Sequence, residues 1–275
     1  MSPKIPCSVG ILTRNSAATL RRALESVKDF EDIVICDGGS SDDTLVIAQE
    51  FGARVVPQPE EAKGPDGRLI DFSKARQASL DAARCDWFLY IDADETISEG
   101  LRDEIARITR QAAENPVAYR VPLGIIMDGR VLKYSSNFPG YQTRFFHRKG
   151  DARFVKTVHE HVEFAPDVTF GTLQHPWYVY TTMADWQTYT ADTAVYRALM
   201  SESYKHLSFL QRLFAALGSL KSAFGIMLRT LLIRLRYGGR DAVPLSGEVG
   251  RMCDQLLTAL GILFPRSSRE RATHV

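Results

Sequence analysis

Trp87-Phe88-Leu89-Tyr90-Ile91-Asp92-Ala93-Asp94-Glu95-Thr96 is an apolar run that stops abruptly on acidic residues. A continuous apolar run bounded by a turn signal reads as a strand buried on both faces, the kind found in a parallel sheet covered by helices. Asp92 and Asp94 then fall at its carboxyl end, where open α/β sheets bind their ligands. Two acids one residue apart can share a hard divalent cation, which takes oxygen ligands and bridges nucleotide phosphates. The same residues also read as a polar strand exit in which an Asp caps the following helix.

Upstream, strand and helix patterns alternate. Ile5 to Leu12 is a strand, and Ser16 to Val27 is a helix with Asn15 or Ser16 as N-cap. The turn between them, Thr13-Arg14-Asn15-Ser16, has no glycine, which argues against a dinucleotide-binding fingerprint and against a P-loop. A strand from Asp32 to Cys36 ends on Asp37, and Gly38-Gly39-Ser40-Ser41-Asp42-Asp43-Thr44 turns the chain into a helix from Thr44 to Phe51. Ala53 to Val56 is a third strand, and Pro57 to Asp71 is read as a connecting loop. Phe72 to Arg84 is helical and leads into the strand Asp86 to Ile91. The order βαβαβαβ predicts an α/β protein with a doubly wound, mostly parallel sheet and right-handed crossovers.

Downstream, a helix is expected from Glu99 to Ala113 with Ser98 as its cap. From Ala118 the texture becomes β-rich: Tyr119 to Met127, an Asp128-Gly129 hairpin turn, Arg130 to Tyr134, Tyr141 to Arg148, Val155 to Phe164 and Val168 to Leu173. Helix resumes at about Ala184. The expected organisation is therefore an alternating α/β half over 1–116, a β-rich half of the same domain over 117–183, and a helical extension over 184–275.

That extension carries a basic amphipathic segment. Between Glu202 and Asp241 there is no acidic residue, while Lys205, Arg212, Lys221, Arg229, Arg234, Arg236 and Arg240 interrupt a run of Leu, Phe, Ile and Met. Phe209, Leu213, Leu217, Leu220, Phe224, Leu228, Leu231 and Leu235 recur every three or four residues and form one apolar stripe. Lys221 and Arg229 argue against a spanning helix. The pattern reads as an anchor lying on an anionic membrane surface, and the alternative is a helix that packs on the core or joins copies of the chain into a homo-oligomer.

With 45% hydrophobic and 24% charged residues over 275 positions, the composition is that of an ordinary folded protein. The formal net charge of +1 gives no overall pull toward nucleic acid, which is not expected as a partner. Cys7, Cys36, Cys85 and Cys253 are widely spaced, without a metal-ligand pattern, and read as reduced thiols. Met1 leads straight into a strand without a signal-peptide pattern, so a cytoplasmic location is expected, peripheral on the inner face of the plasma membrane.

Three chemistries compete for the acidic turn. In a nucleotide-sugar transferase, Asp37 would accept a hydrogen bond from the base, Asp92 would support the ribose or a metal, and Asp94 would hold the metal on the diphosphate. Asp92-Ala93-Asp94-Glu95-Thr96 also fits a DxDxT phosphatase pattern with Asp92 as nucleophile. A nicotinamide enzyme would use Asp37 on a ribose hydroxyl, but the missing glycine fingerprint removes it. The phosphatase motif normally sits on the first strand of its domain, and here three βα units precede it. The transferase leads, with a non-catalytic nucleotide-sugar-binding protein as the rival from another class.

Ile11-Leu12-Thr13-Arg14-Asn15, Asp37-Gly38-Gly39-Ser40-Ser41-Asp42-Asp43-Thr44, and Ala75 to Ala83 running into Asp86-Trp87-Phe88-Leu89-Tyr90-Ile91-Asp92-Ala93-Asp94-Glu95 resemble family 2 glycosyltransferases of the GT-A fold. Tyr141-Gln142-Thr143-Arg144-Phe145-Phe146, Val158-His159-Glu160 and His175 look like the subgroup typified by lipopolysaccharide-core β-glucosyltransferases. The resemblance covers roughly residues 5 to 180. It implies inverting transfer from a nucleotide diphosphate sugar, most often UDP-linked, to a glycan or glycolipid acceptor, with Mg²⁺ or Mn²⁺ assisting departure of the diphosphate. Under it, Thr13, Arg14, Asn15, Asp37, Arg76, Asp92 and Ala93 form the donor-binding set. Asp94 and Asp92 hold the metal, with His175 completing the shell. Glu160 is the candidate base, because the acceptor hydroxyl needs a carboxylate on the face opposite the leaving group. His159 would orient it, with Asp151 and Glu163 as weaker alternatives. Arg144 would neutralise the diphosphate or an anionic acceptor, unless a salt bridge within the sheet claims it.

Overall fold

The computed structural model describes residues 3–65, 67–111, 117–136, 140–156, 160–181, 190–191, 193–239 and 241–265. In chain order its elements are β1 (Ile5–Thr13), α1 (Ala17–Val27), β2 (Phe30–Asp37), α2 (Thr44–Glu50), β3 (Arg54–Pro57), α3 (Phe72–Asp81), β4 (Trp87–Asp92), β5 (Glu95–Ile97) and α4 (Glu99–Thr109). There follow β6 (Ala118–Met127), β7 (Arg130–Leu132), β8 (Tyr141–His147), β9 (Arg153–Val155), β10 (His161–Glu163), β11 (Phe170–Thr172) and β12 (Trp177–Thr181). Among the described residues three helices follow: α5 (Ala194–Ser203), α6 (Phe209–Tyr237) and α7 (Leu245–Leu263). These form two compact units, residues 1–126 with 140–180, and residues 127–139 with 181–275. The division differs from the expected one in assigning the segment around β7 to the second unit.

In the first unit the sheet runs β3-β2-β1-β4-β8-β6-β12-β5, with β11 added beside β6. The strands β1 to β4 are mutually parallel, while β8 runs antiparallel to both β4 and β6. The expected doubly wound α/β architecture is thus present, with antiparallel strands where the sequence turns β-rich. Alternation along β4 explains its continuous apolar run. Leu89 and Ile91 enter the core cluster built with Leu20 and Leu24 of α1 and Leu101 and Ile105 of α4. Phe88 and Tyr90 face the other way and pack with Leu80 of α3. Both faces of the strand are therefore covered, as the apolar run requires. At Gly10 a Cβ would stand 2.5 Å from the Phe88 ring, so only glycine admits that ring against β1.

Local signals held in most places. Ser98 caps α4 by accepting the Leu101 amide at 3.1 Å. At α1 the expected cap does not act through its own side chain: the Ala17 amide donates to Asp42 Oδ2 of the next turn at 3.1 Å. The β texture expected from Val155 to Phe164 takes the form of β9 and β10, paired antiparallel with Val162 opposite Phe154. Lys156 takes φ 68, a left-handed backbone that ends β9. The expected helix start at Ala184 lies outside the described residues. Cys7 and Cys36 are buried free thiols, and burial together with the Asp37 charge pushes Cys36 to about 12.

In the second unit, α6 begins with a capping box in which Ser208 and Gln211 bond reciprocally, and it ends at Gly238 with φ 71. Ala216 of α6 packs with Ala259 and Ile262 of α7. Ala223, Ile226 and Thr230 are also buried. The apolar stripe that the sequence brought out lies on the other side of α6. Phe209, Leu217, Leu220, Phe224, Leu228, Leu231 and Leu235 are exposed, and Leu213 is half-buried.

Candidate active site

Parallel pairing of β1 with β4 sets Leu12 beside Asp92, so the two strands end together. Beyond those ends lies a cleft of about 490 Å³ whose walls include Thr13, Arg14 and Asn15 from the first turn, Gln58 and Phe72, and Asp92, Ala93 and Asp94. A larger hollow of about 740 Å³ lies at the amino end of β1, where Arg102 pairs with Asp29. The smaller cleft is the candidate site, because crossovers converge at the carboxyl ends of parallel strands and leave backbone and side chains free there.

The rim of this cleft is tied together by Asp37. Its Oδ1 accepts from the hydroxyls of Thr13 at 2.8 Å and Ser40 at 2.6 Å, and its Oδ2 accepts the amides of Gly39 and Ser40 at 2.8 Å each. Burial opposes ionisation of Asp37, yet these four bonds hold its pKa below the usual carboxylate value. Asp37 therefore shapes the loop beside the cleft, its carboxylate oxygens occupied by these internal donors. Asn15, with φ 51, accepts the Ser41 amide at 2.8 Å, and Arg14 reaches the Gly67 carbonyl at 2.8 Å.

Behind the acidic turn, Arg76 of α3 is 2% exposed. Its guanidinium pairs with Asp92 and with Glu160 at 3.3 Å, and it stands over the Tyr90 ring at 4.9 Å. Burial works against ionisation of Asp92, but Arg76 and then Arg144 more than offset it and hold its pKa low. Asp94 differs. Among the described residues no cation pairs with its carboxylate; partial burial and the charge of Asp92 raise its pKa although its side chain reaches solvent. Arg22 donates only to the Asp94 backbone carbonyl, at 3.3 Å.

Residues 8–165 match the family described as Glycosyl transferase family 2. The chain belongs to that family. It is 32% identical over 170 residues to an uncharacterised glycosyltransferase of Rickettsia bellii, covering 60% of this chain and 54% of the relative. A corresponding protein of Rickettsia felis is 34% identical over 172 residues, covering 60% and 56%. The chain spans about half the length of the curated relatives it matches. Among solved structures, S. aureus TarS 1-349 in complex with UDP aligns at 18% identity, covering 74% of this chain and 66% of that one, with a TM-score of 0.44.

Within this family 2 chain, the structure brings Thr13, Arg14, Asn15, Asp92, Ala93 and Asp94 to one cleft, and joins Arg76 and Glu160 to it through Asp92. It does not bring the other expected residues there. His175 Nδ1–H donates to Glu104 at 3.0 Å, and its ring fills the space where a side chain at Gly100 would stand. Arg144 is 6% exposed and is spent on Glu95, the salt bridge that competed with its phosphate role. His159 lies outside the described residues, whereas Asp151 and Glu163 are exposed and pair with or approach Arg153 and His161. No group of three or more His, Cys, Asp or Glu residues gathers as a metal cage among the described residues. The donor set nevertheless fits Mg²⁺ or Mn²⁺, which bind through one or two carboxylates plus substrate phosphates. Asp94 is the open carboxylate, and Asp92 is its neighbour.

Sequence reading overlooked Glu95 and Trp177. Glu95 is 4% exposed at the start of the buried strand β5, and Trp177 is 1% exposed in β12. The signal for Glu95 was present: an acid standing inside a strand whose other members are buried needs a partner. The partner's identity was not readable locally.

Proposed function

We propose that the chain catalyses an inverting transfer of a sugar from a nucleotide diphosphate sugar, UDP-linked in the first instance, to a lipid-linked or cell-envelope glycan at the cytoplasmic face of the membrane. The observation that carries this reading is the single buried guanidinium of Arg76 held by both Asp92 and Glu160. It joins the acids of the donor cleft to a carboxylate from the acceptor-side strands, the two kinds of group that sugar transfer needs on opposite faces of the sugar. Thr13, Arg14, Asn15 and Asp37 line or shape the nucleotide end of the cleft. Asp94 would hold Mg²⁺ or Mn²⁺, assisted by Asp92, and the cation would neutralise charge on the departing diphosphate. Glu160 would take the proton of the acceptor hydroxyl, oriented by Arg76.

Membrane association is supported by α6. Its exposed face carries Phe214, Leu217, Phe224, Leu228, Leu231 and Leu235, with Lys221, Arg229 and Arg236 also exposed and no acid from residue 203 to 240. The helix has 29 residues and contains an 18-residue window with a mean hydropathy of 1.4, long and apolar enough to cross a bilayer. Cations along it favour a position in the interface, where apolar side chains insert and Lys and Arg meet anionic headgroups.

Titrating UDP with and without Mn²⁺ tests the donor reading: wild type should bind UDP more tightly with Mn²⁺, and absence of metal-dependent binding removes the UDP–metal reading. Glu160→Gln should keep donor binding while abolishing transfer. A fully active Glu160→Gln takes the base role from that residue.

A further inference from the structure

Two buried cations flank Tyr90 at the end of β4. Arg76 stands over its ring at 4.9 Å and Arg144 at 5.1 Å. Arg76 serves the Asp92 side chain, but Arg144 serves Glu95. The Glu95 carboxylate accepts from both terminal nitrogens of Arg144, Nη2 at 3.1 Å; from Trp177 Nε1 at 3.1 Å; and from the Asp92 backbone amide at 2.8 Å. Among the described residues four donors converge on it and no acceptor does. Glu95, Arg144 and Trp177 are each at least nine-tenths buried and come from β5, β8 and β12. Arg144 is fixed in turn by Gln142 Oε1 at 3.0 Å and by the Trp177 ring, whose centroid lies 4.4 Å from its guanidinium carbon.

We infer that Glu95 is a positioning residue: clamped by Arg144 and Trp177, it holds the Asp92 amide and so fixes the Asp92–Asp94 turn in the shape that presents Asp94 to the diphosphate-bound cation. This deepens the donor-binding reading and rests on it. The geometry distinguishes the clamp from an ordinary buried salt bridge. One carboxylate oxygen, Oε2, is shared between Arg144 and the Asp92 amide, so the ion pair acts directly on the backbone where the turn begins. At the other end of the turn Arg22 holds the Asp94 carbonyl at 3.3 Å. The backbone is thereby pinned on both sides while the Asp94 side chain stays open. Supporting groups of this kind typically change metal affinity by about 10- to 100-fold when removed.

Two double variants separate positioning from simple stability, since both delete the ion pair. Glu95→Gln with Arg144→Gln keeps an oxygen that accepts the Asp92 amide; Glu95→Leu with Arg144→Met removes it. The readouts are the factor by which Mn²⁺ tightens UDP binding in calorimetry, and the exchange rate of the Asp92 amide in the metal-free protein. The Gln pair should keep the Mn²⁺ factor within about 3-fold of wild type and keep the amide protected, whereas the Leu/Met pair should lose about 10-fold or more of that factor and exchange faster. UDP affinity without metal should move little in either. The clamp is overturned if the Leu/Met pair matches wild type in both readouts. If wild type itself shows no metal-dependent UDP binding, the donor reading falls, and amide exchange alone then decides the clamp: equal protection in all three proteins ends it. Should the Leu/Met pair not fold, Trp177→Phe removes only the indole donor and should lower the Mn²⁺ factor about 3-fold; an unchanged factor counts against the clamp.

Discussion

The acidic turn and helix α6 break the usual partition of residues in opposite ways. Around Asp92, charged groups go inside: Arg76, Glu95 and Arg144 are 2%, 4% and 6% exposed. Along α6, apolar groups go outside, with Phe214 at 66% and Leu235 at 76%. Buried charge costs solvation and exposed hydrocarbon costs hydration, so neither arrangement follows from stability alone. In the first region each buried cation is matched to a carboxylate, and Asp94 is left without such a match. In the second, Ala216, Ala223 and Ile226 pack inward, and Phe214, Leu217, Phe224, Leu228, Leu231 and Leu235 face out. The unmatched carboxylate is what the proposed cation site would use, and the unmatched apolar face is what the proposed membrane contact would use.

The largest effect should come from removing that open carboxylate. Asp94→Ala should abolish the Mn²⁺-dependent part of UDP binding and lower sugar transfer by about 10²- to 10³-fold, the scale of a lost transition-state charge contact; calorimetry and donor turnover measure the two. Retained metal dependence would assign the cation to another group.

Arg76→Met attacks the matched side of the comparison. It leaves Asp92 and Glu160 facing each other without their shared cation, at 42% and 16% side-chain exposure. Unfolding in urea at neutral pH should show a loss of about 3 kcal/mol, the lower end for breaking a buried ion pair because Asp92 keeps solvent access. The loss should shrink under acidic conditions. Arg76 holds the Asp92 pKa down, so its stabilisation is present above the ordinary carboxylate range and disappears as pH falls through the lowered value. A loss independent of pH would mean that packing, not charge, gives Arg76 its role.

Two faces of one helix sharpen the contrast next. Leu228→Glu with Leu231→Glu should remove binding to vesicles containing anionic lipid in flotation and leave the melting temperature nearly unchanged, because both side chains are exposed. Ala223→Glu, on the packed face, should lower the melting temperature by several degrees. If the outward pair instead changes the mass of the protein in solution and not its flotation, the face joins copies of the chain.

The smallest effect concerns Asp94 without metal. Its pKa is raised in the folded protein, so the fold holds the proton more tightly than the unfolded chain does. Stability attributable to this group is therefore greatest at low pH and declines as pH rises through the raised value. Asp94→Asn should make the metal-free protein slightly more stable at neutral pH and no more stable at low pH. A melting series across pH checks the sign.

Much of this was legible locally. The apolar run to Ile91 ending on acids, the glycine-free first turn and the Asp37 loop specify the parallel strands and the end at which the cleft opens, because burial on two faces and turn chemistry are short-range properties. The cap at Ser98 and the period of α6 are of the same kind. His175 and Arg144 were less readable. Each is a residue type suited to a ligand, but Glu104 claims the first and Glu95 the second. The β texture around Glu160 was legible, but the antiparallel pairing of β9 with β10 was not, because a change of direction leaves no trace in alternation.

By itself, then, the sequence determined an α/β sheet, an acidic strand end and an amphipathic helix, since each depends on neighbours within a few residues. Tertiary structure decided which charges are matched. Arg76 reaches Glu160 across 84 positions, Arg144 reaches Glu95 across 49, and Trp177 reaches Glu95 across 82. Such pairings follow from strand order and from how buried guanidinium groups find carboxylates in three dimensions. The same packing turned the side of α6 that carries Ala216, Ala223 and Ile226 inward and left Phe214, Phe224 and Leu235 facing out, a choice that periodicity alone does not make.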